Sequence, residues 1–176
     1  MKTSKSMAAR FAWFAAFGLM LAATGCALLP QARTDLRVVV VRHAEKSASP
    51  ATDPALSEPG YARAKRIAAQ LAHAPVRAVY ATAFRRTQDT AYPTALRHKL
   101  SVTVYDAKQP VTAFAAQLRQ THPRGTVLVV GHSNTVPQIV SALCACEVAP
   151  MDETSFDHWY EVRITDKAAH LTQTRY

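Results

Sequence analysis

Three short runs of β-branched and aliphatic residues constrain this chain more than any other feature: Leu36–Val41, Val76–Ala81 and Thr126–Val130. Apart from Arg37 the first is apolar throughout, which is the pattern of a strand buried on both faces rather than half-exposed. A fourth run, Leu100–Tyr105, alternates as a strand does. Between the runs the periodicity becomes helical. Ser57 reads as an N-cap with Glu58 and Pro59 in the first turn, and Tyr61, Ala64, Ile67, Ala68 and Leu71 follow at helical spacing. Further helices are expected over Arg85–Leu96, from Pro110 to Gln120, and over Thr135–Cys146 with Pro137 in the first turn. Pro123-Arg124-Gly125 reads as a turn, and Phe156–Ile164 and His170–Arg175 read as a closing pair of strands.

Strands alternating with helices require crossover connections. The expected fold class is therefore α/β, a three-layer α/β/α sandwich around a mainly parallel central sheet. In such sheets ligands bind beyond the carboxyl ends of the strands. Arg42-His43-Ala44-Glu45-Lys46 follows Leu36–Val41, Thr82 and Arg85-Arg86 follow Val76–Ala81, and Gly131-His132-Ser133-Asn134 follows Thr126–Val130. Two histidines and two or three arginines are thus expected along one edge. Arginine forks match phosphate oxygens two at a time, and clustered arginines repel each other unless an anion lies between them. A neutral imidazole among them is a competent nucleophile toward phosphorus. The set needs no metal and no cofactor, because phosphoryl transfer depends mainly on positioning and charge. Asn134 is read as the cap of the helix that follows, Arg85 as a surface charge, and His73, His98, His122, His158 and His170 as surface residues without metal-ligand spacing.

The first residues stand apart from this pattern. Lys2, Lys5 and Arg10 form a basic start, Phe11–Ala23 is apolar, and Ala23-Thr24-Gly25 leads into Cys26. That is the layout of a secretory signal, with an apolar run short for a permanent membrane helix. The small residues before Cys26 resemble the lipobox of bacterial lipoproteins. On that resemblance residues 1–25 are removed, Cys26 is lipidated, residues 26–35 are a tether, and residues 36–176 are the folded domain. The expected address is the periplasmic side of a bacterial membrane, with the outer membrane favoured. The formal charge is +9, and +6 remains without Lys2, Lys5 and Arg10. A basic surface suits anionic substrates and phosphate-bearing surfaces. No basic run interleaved with aromatics points to nucleic acid. Cys144 and Cys146 lack a second thiol pair, and a spacing of two on a helix directs side chains apart; they are read as small buried apolar residues.

Val41-Arg42-His43-Ala44-Glu45 resembles the R-H-G motif of the histidine phosphatase superfamily, which includes the phosphoglycerate mutases. Thr82–Ala91 resembles that family's S-P-L-x-R-A-x-Q-T-A segment, Leu56–Ala64 its L-T-x-x-G-x-x-Q-A helix start, and Val127–His132 the strand that delivers its second histidine. The resemblance implies a phosphoglycerate mutase-like fold and phosphomonoester hydrolysis through phosphorylated His43. It assigns the phosphoryl group to Arg42, Arg86, His132 and Thr82, with Arg86 rather than Arg85 in the binding role. The substrate would be a phosphorylated small molecule or an exposed phosphate group outside the cytoplasm. A non-catalytic phospho-ligand-binding module and a phosphoryl-transferring mutase are the alternatives. The family's usual proton donors have no clear counterpart here. Asp106, Glu45, Asp152 and Glu153 are the candidate general acids, and the chain lacks the cap insertions of larger relatives.

Overall fold

The computed structural model describes residues 33–49 and 52–176; the expected signal segment, Cys26 and most of the expected tether lie outside the described residues. The elements run β1 (Asp35–Arg42), α1 (Glu58–Gln70), β2 (Val76–Ala81), α2 (Arg85–Arg97), β3 (Val102–Val104), α3 (Val111–Thr121), β4 (Arg124–Gly131), α4 (Val136–Cys144), β5 (His158–Thr165) and β6 (Ala169–Arg175). They form one sheet of order β3-β2-β4-β1-β5-β6. The β1–β4, β2–β4 and β2–β3 pairs are parallel, and β5 and β6 close one edge antiparallel.

Strand alternation assigns the layers. Val38 and Val40 of β1, Val127 and Val129 of β4, and Tyr160 and Val162 of β5 pack against Phe114 and Leu118 of α3 and Ile139 and Leu143 of α4. Their neighbours Val39, Val41, Leu128 and Val130 face the other way, onto Ile67 and Leu71 and onto Ala91 and Ala95 of α2. The central strands are covered on both sides, as their largely apolar sequence requires. The result is the expected three-layer sandwich.

Three local readings need correction. Arg124 and Gly125 belong to β4, not to a turn: Arg124 pairs with Asp35 in register with the rest of the ladder. Gly125 has a φ of 89° there, which glycine adopts without the steric cost of a side chain. The cap of α4 is Thr135 and not Asn134; its Oγ1 accepts the His132 amide at 3.0 Å. The third correction concerns Cys144 and Cys146, which form a disulfide with Cα atoms 5.2 Å apart. The reasoning that separated them assumed that both lie on the helix. α4 ends at Cys144, and Ala145 takes a left-handed conformation (φ 53°) that turns Cys146 back toward it.

At the head of α1 the Ser57 hydroxyl accepts the Gly60 amide at 3.3 Å, as a cap should. The Ser57 amide in turn donates to the Glu45 carbonyl at 2.9 Å, which fastens the helix start to the chain leaving β1. A Cβ on Gly60 would lie 2.1 Å from that same carbonyl oxygen. Neither backbone can yield cheaply, so Gly60→Ala should destabilise the fold by about 2 kcal/mol or more. The denaturation midpoint measures this, and an unchanged midpoint would contradict the close approach.

Candidate active site

The parallel ladder between β1 and β4 places the two expected histidines side by side. Arg42 is opposite Gly131 at the carboxyl ends of both strands, and the next residues are His43 and His132. The His43 amide extends the ladder by donating to the Gly131 carbonyl at 2.9 Å. The two rings lie with centroids 5.3 Å apart. β2 is on the other side of β4, so the chain leaving it brings Phe84 and Arg86 to the same edge. Arg42, His43, Arg86 and His132 line one cavity of about 520 Å³, with Lys46, Lys108 and Glu153 also in its wall.

His43 is almost fully buried. Its Nδ1 lies 2.8 Å from the Ala44 carbonyl, which can only accept, so Nδ1 carries the hydrogen and Nε2 keeps its lone pair. Burial pushes the pKa of the ring down to about 3. The Ala44 bond opposes this, and the charges of Arg42 and Arg86 and the His132 ring reinforce it. His132 is lowered to about 4, again by burial first and then by Arg86 and Arg42. Both rings are therefore neutral near pH 7.

The polar contacts around His132 form a chain in one direction. Arg86 Nη2 donates to Nδ1 at 3.4 Å, which leaves Nε2–H to donate to Thr82 Oγ1 at 3.1 Å. Thr82 Oγ1 lies 2.8 Å from Thr87 Oγ1, whose own hydroxyl donates to the Phe84 carbonyl at 2.7 Å. Thr82 is expected from the sequence to contact phosphate. It is instead buried beneath His132, its hydroxyl used in holding that ring. Thr90 does similar work for His43. Its Oγ1 accepts the Ala44 amide at 2.9 Å and donates to the Arg86 carbonyl at 2.7 Å, tying the loop after β1 to α2.

Each arginine lies over a phenylalanine ring: Arg42 over Phe156 at 4.2 Å and Arg86 over Phe84 at 4.4 Å. Arg42 Nη1 also donates to the carbonyls of Asp152, Glu153 and Ser155, so the segment before β5 is wrapped around its guanidinium. Burial lowers the Arg42 pKa from its ordinary value, with Glu153 and Asp152 opposing. Asp53 lies 4.0 Å from Arg86 Nη1 and accepts the Arg85 amide at 2.9 Å, capping α2 in place of Phe84. The Arg85 side chain is itself exposed and pairs with Asp89 at 3.7 Å.

The four candidate acids separate clearly. Glu45 is held by Arg63, with Nη2 2.7 Å from one carboxylate oxygen and Nε 3.0 Å from both, and this pairing keeps its pKa below the usual range. It is a structural ion, not a proton donor. Asp106 is exposed and accepts the Lys108 amide at 2.8 Å, outside the cavity wall. Asp152 is exposed and bound by Thr154 through both amide and hydroxyl, which lowers its pKa. Only Glu153 of the four lines the cavity.

Residues 38–107, which include Arg42, His43 and Arg86, match the histidine phosphatase superfamily (branch 1). That match points to the superfamily for this chain. Among solved structures it is similar to the protein histidine phosphatase SixA complexed with tungstate, at a TM-score of 0.67 and 21% identity over 79% of this chain and 96% of that one. A putative α-ribazole-5′-phosphate phosphatase from Escherichia coli matches at 0.62 and 17% identity, over 80% and 96% of the two chains. A putative phosphohistidine phosphatase SixA from Agrobacterium tumefaciens matches at 0.55 and 18%, over 80% and 98%. At these identities the likeness is one of fold. No curated protein matches the chain by sequence.

Two neutral, largely buried histidines link stability to pH. Their folded pKa values of about 3 and 4 lie below the 6.5 of a free imidazole, so between these limits the unfolded chain binds more protons. The stabilising contribution is complete above about pH 6.5 and is lost as pH falls toward the folded values. The thermal midpoint should fall between pH 7 and pH 4.5, and less steeply in a His43→Gln, His132→Gln variant. Parallel profiles would show that these rings are not the groups responsible.

Proposed function

We propose that the protein is a phosphomonoesterase that works through a phosphohistidine on His43. The observation that carries this reading is the pinning of His43 Nδ1 by the Ala44 carbonyl, which leaves Nε2 as the lone-pair nitrogen in a cavity shared with two guanidiniums. His43 Nε2 attacks phosphorus while the bond to the ester oxygen breaks. Arg42 and Arg86 stabilise the charge on the phosphoryl oxygens, and His132, held by Thr82, keeps Arg86 in place through its Nδ1. Nδ1–H then donates to the Ala44 carbonyl from a cationic ring, a stronger bond than before transfer. Glu153 protonates the departing oxygen, and as carboxylate it takes the proton of the water that cleaves phosphohistidine. The superfamily match over residues 38–107 and the phosphatases among the fold relatives support this reading.

His43→Ala should abolish both turnover and the trapped phosphohistidine. Arg86→Ala should slow turnover by about two decades or more, as expected for a charged donor to the transferring group, and Arg85→Ala should do far less. In a single turnover, Glu153→Gln should slow release of an alkyl alcohol strongly and the burst of 4-nitrophenolate little, because nitrophenolate leaves without a proton. Binding of a phosphate ester with neither phosphohistidine nor alcohol release would favour the binding-module alternative. Equal loss on both esters would remove Glu153 from the donor role.

The proposed location is the periplasmic side of a bacterial membrane, with the chain held through acylated Cys26. The Cys144–Cys146 disulfide supports export, since such bonds persist in oxidising compartments. More than one acyl chain on a single residue anchors a protein stably, where one would not. Cys26→Ser should move active protein out of the membrane fraction, and an intact mass that places the mature N-terminus elsewhere would retire the anchor.

A further inference from the structure

A second cavity, of about 700 Å³, opens beside the catalytic one, along α4 and the start of α3. Its walls are largely Val111, Pro137, Ala142, Val148, Pro150 and Met151. The catalytic cavity differs in kind, being lined by Arg42, Lys46, Arg86 and Lys108. The two share Ser133, Asn134 and Glu153. Val111, Ala142 and Val148 pack against the hydrophobic core, so the groove is shaped by the fold itself. The chain leaving α4 toward Val148 is held by the Cys144–Cys146 disulfide and by the Ser141 hydroxyl on the Cys146 carbonyl at 2.6 Å.

We propose that this groove receives the leaving group of the substrate, and that the leaving group is an extended apolar alcohol. The inference rests on the phosphomonoesterase reading above. In-line displacement puts the departing oxygen opposite His43 Nε2, and the proton donor must lie within hydrogen-bond reach of that oxygen. Glu153 is the donor and belongs to both cavities. The P–O bond that breaks therefore lies where they meet, and the body of the alcohol continues into the groove. The phosphoryl group stays with the arginines, and the alcohol leaves carrying the proton of Glu153. A sugar or nucleoside would need several hydrogen-bonding partners, but only Thr112, Gln138 and Ser141 offer side-chain polar groups beyond the shared residues. An alkyl chain gains simply from leaving water. The volume is that of a small-molecule site.

A series of ethyl, butyl, hexyl and octyl phosphates tests this, because their leaving oxygens are nearly equal in basicity and only apolar length changes. Burying about half of each methylene in an open groove should raise kcat/KM by roughly twofold per carbon, about fifteenfold from ethyl to hexyl. Gln138 is exposed in the groove wall and outside the catalytic cavity. Gln138→Glu and Gln138→Lys should both lower the hexyl-to-ethyl ratio at least threefold. An effect of charge on the phosphate alone would move the two variants in opposite directions and leave the ratio intact. A flat series in protein that hydrolyses ethyl phosphate, or a ratio unchanged in both variants, overturns the groove assignment alone. Failure to turn over any ester, together with no phosphohistidine, overturns the phosphomonoesterase reading and this inference with it.

Discussion

Everything at the site depends on the parallel register between β1 and β4. Arg42 is paired with Gly131, and each strand ends one residue before a histidine. A slip of one residue would turn every side chain of a strand to the opposite face and part the two rings. Such a slip would carry charged Arg42 at the strand end toward the apolar core and break the bond of the Asp35 amide to the Pro123 carbonyl at 3.0 Å. The boundaries of the apolar run thus fix the geometry of the chemical groups. The His43 amide on the Gly131 carbonyl extends the same constraint one residue past the strand.

The side chains then need orientation, and the structure uses threonines for it. Thr82, Thr87 and Thr90 are nearly or fully buried, and their hydroxyls face one another, the His132 ring, the Ala44 amide or backbone carbonyls. A hydroxyl can donate and accept at once, so one residue can satisfy a buried amide and a buried carbonyl together. Thr90 does this between the loop after β1 and α2. Phe84 and Phe156 add the flat surfaces against which the two guanidiniums rest. These supports make the site rigid before substrate arrives, which is the condition for electrostatic stabilisation without reorganisation.

The supporting residues were less legible than the groups they support. Arg42, His43, Arg86 and His132 occupy strand ends and the first turn of a helix, positions that periodicity locates directly. Thr90 lies in the middle of α2, where a threonine reads as an ordinary helical residue. Asp53 lies in a loop with no pattern of its own, and its role as the cap of α2 appears only once that loop crosses the helix start. The four candidate acids were indistinguishable in sequence because a carboxylate's role depends on its neighbours. Arg63 lies eighteen positions beyond Glu45, and only the packing of α1 brings the two together. The Cys144–Cys146 pair was misread for a similar reason, since the left-handed turn at Ala145 ends a helix that the pattern would have continued.

By itself the sequence determined the class of the fold, the order of most of its elements and the chemical type of the site. Strand burial and helical periodicity are local properties of the chain, and the rule that ligands bind past the strand ends converts them into a location. Tertiary structure decided which protonation state each histidine holds, which acid faces the cavity, and that an apolar groove adjoins a cationic one. Those outcomes arise from desolvation and from contacts between residues far apart in the chain. Burial, the largest influence on His43, is set by what the rest of the molecule packs around the ring.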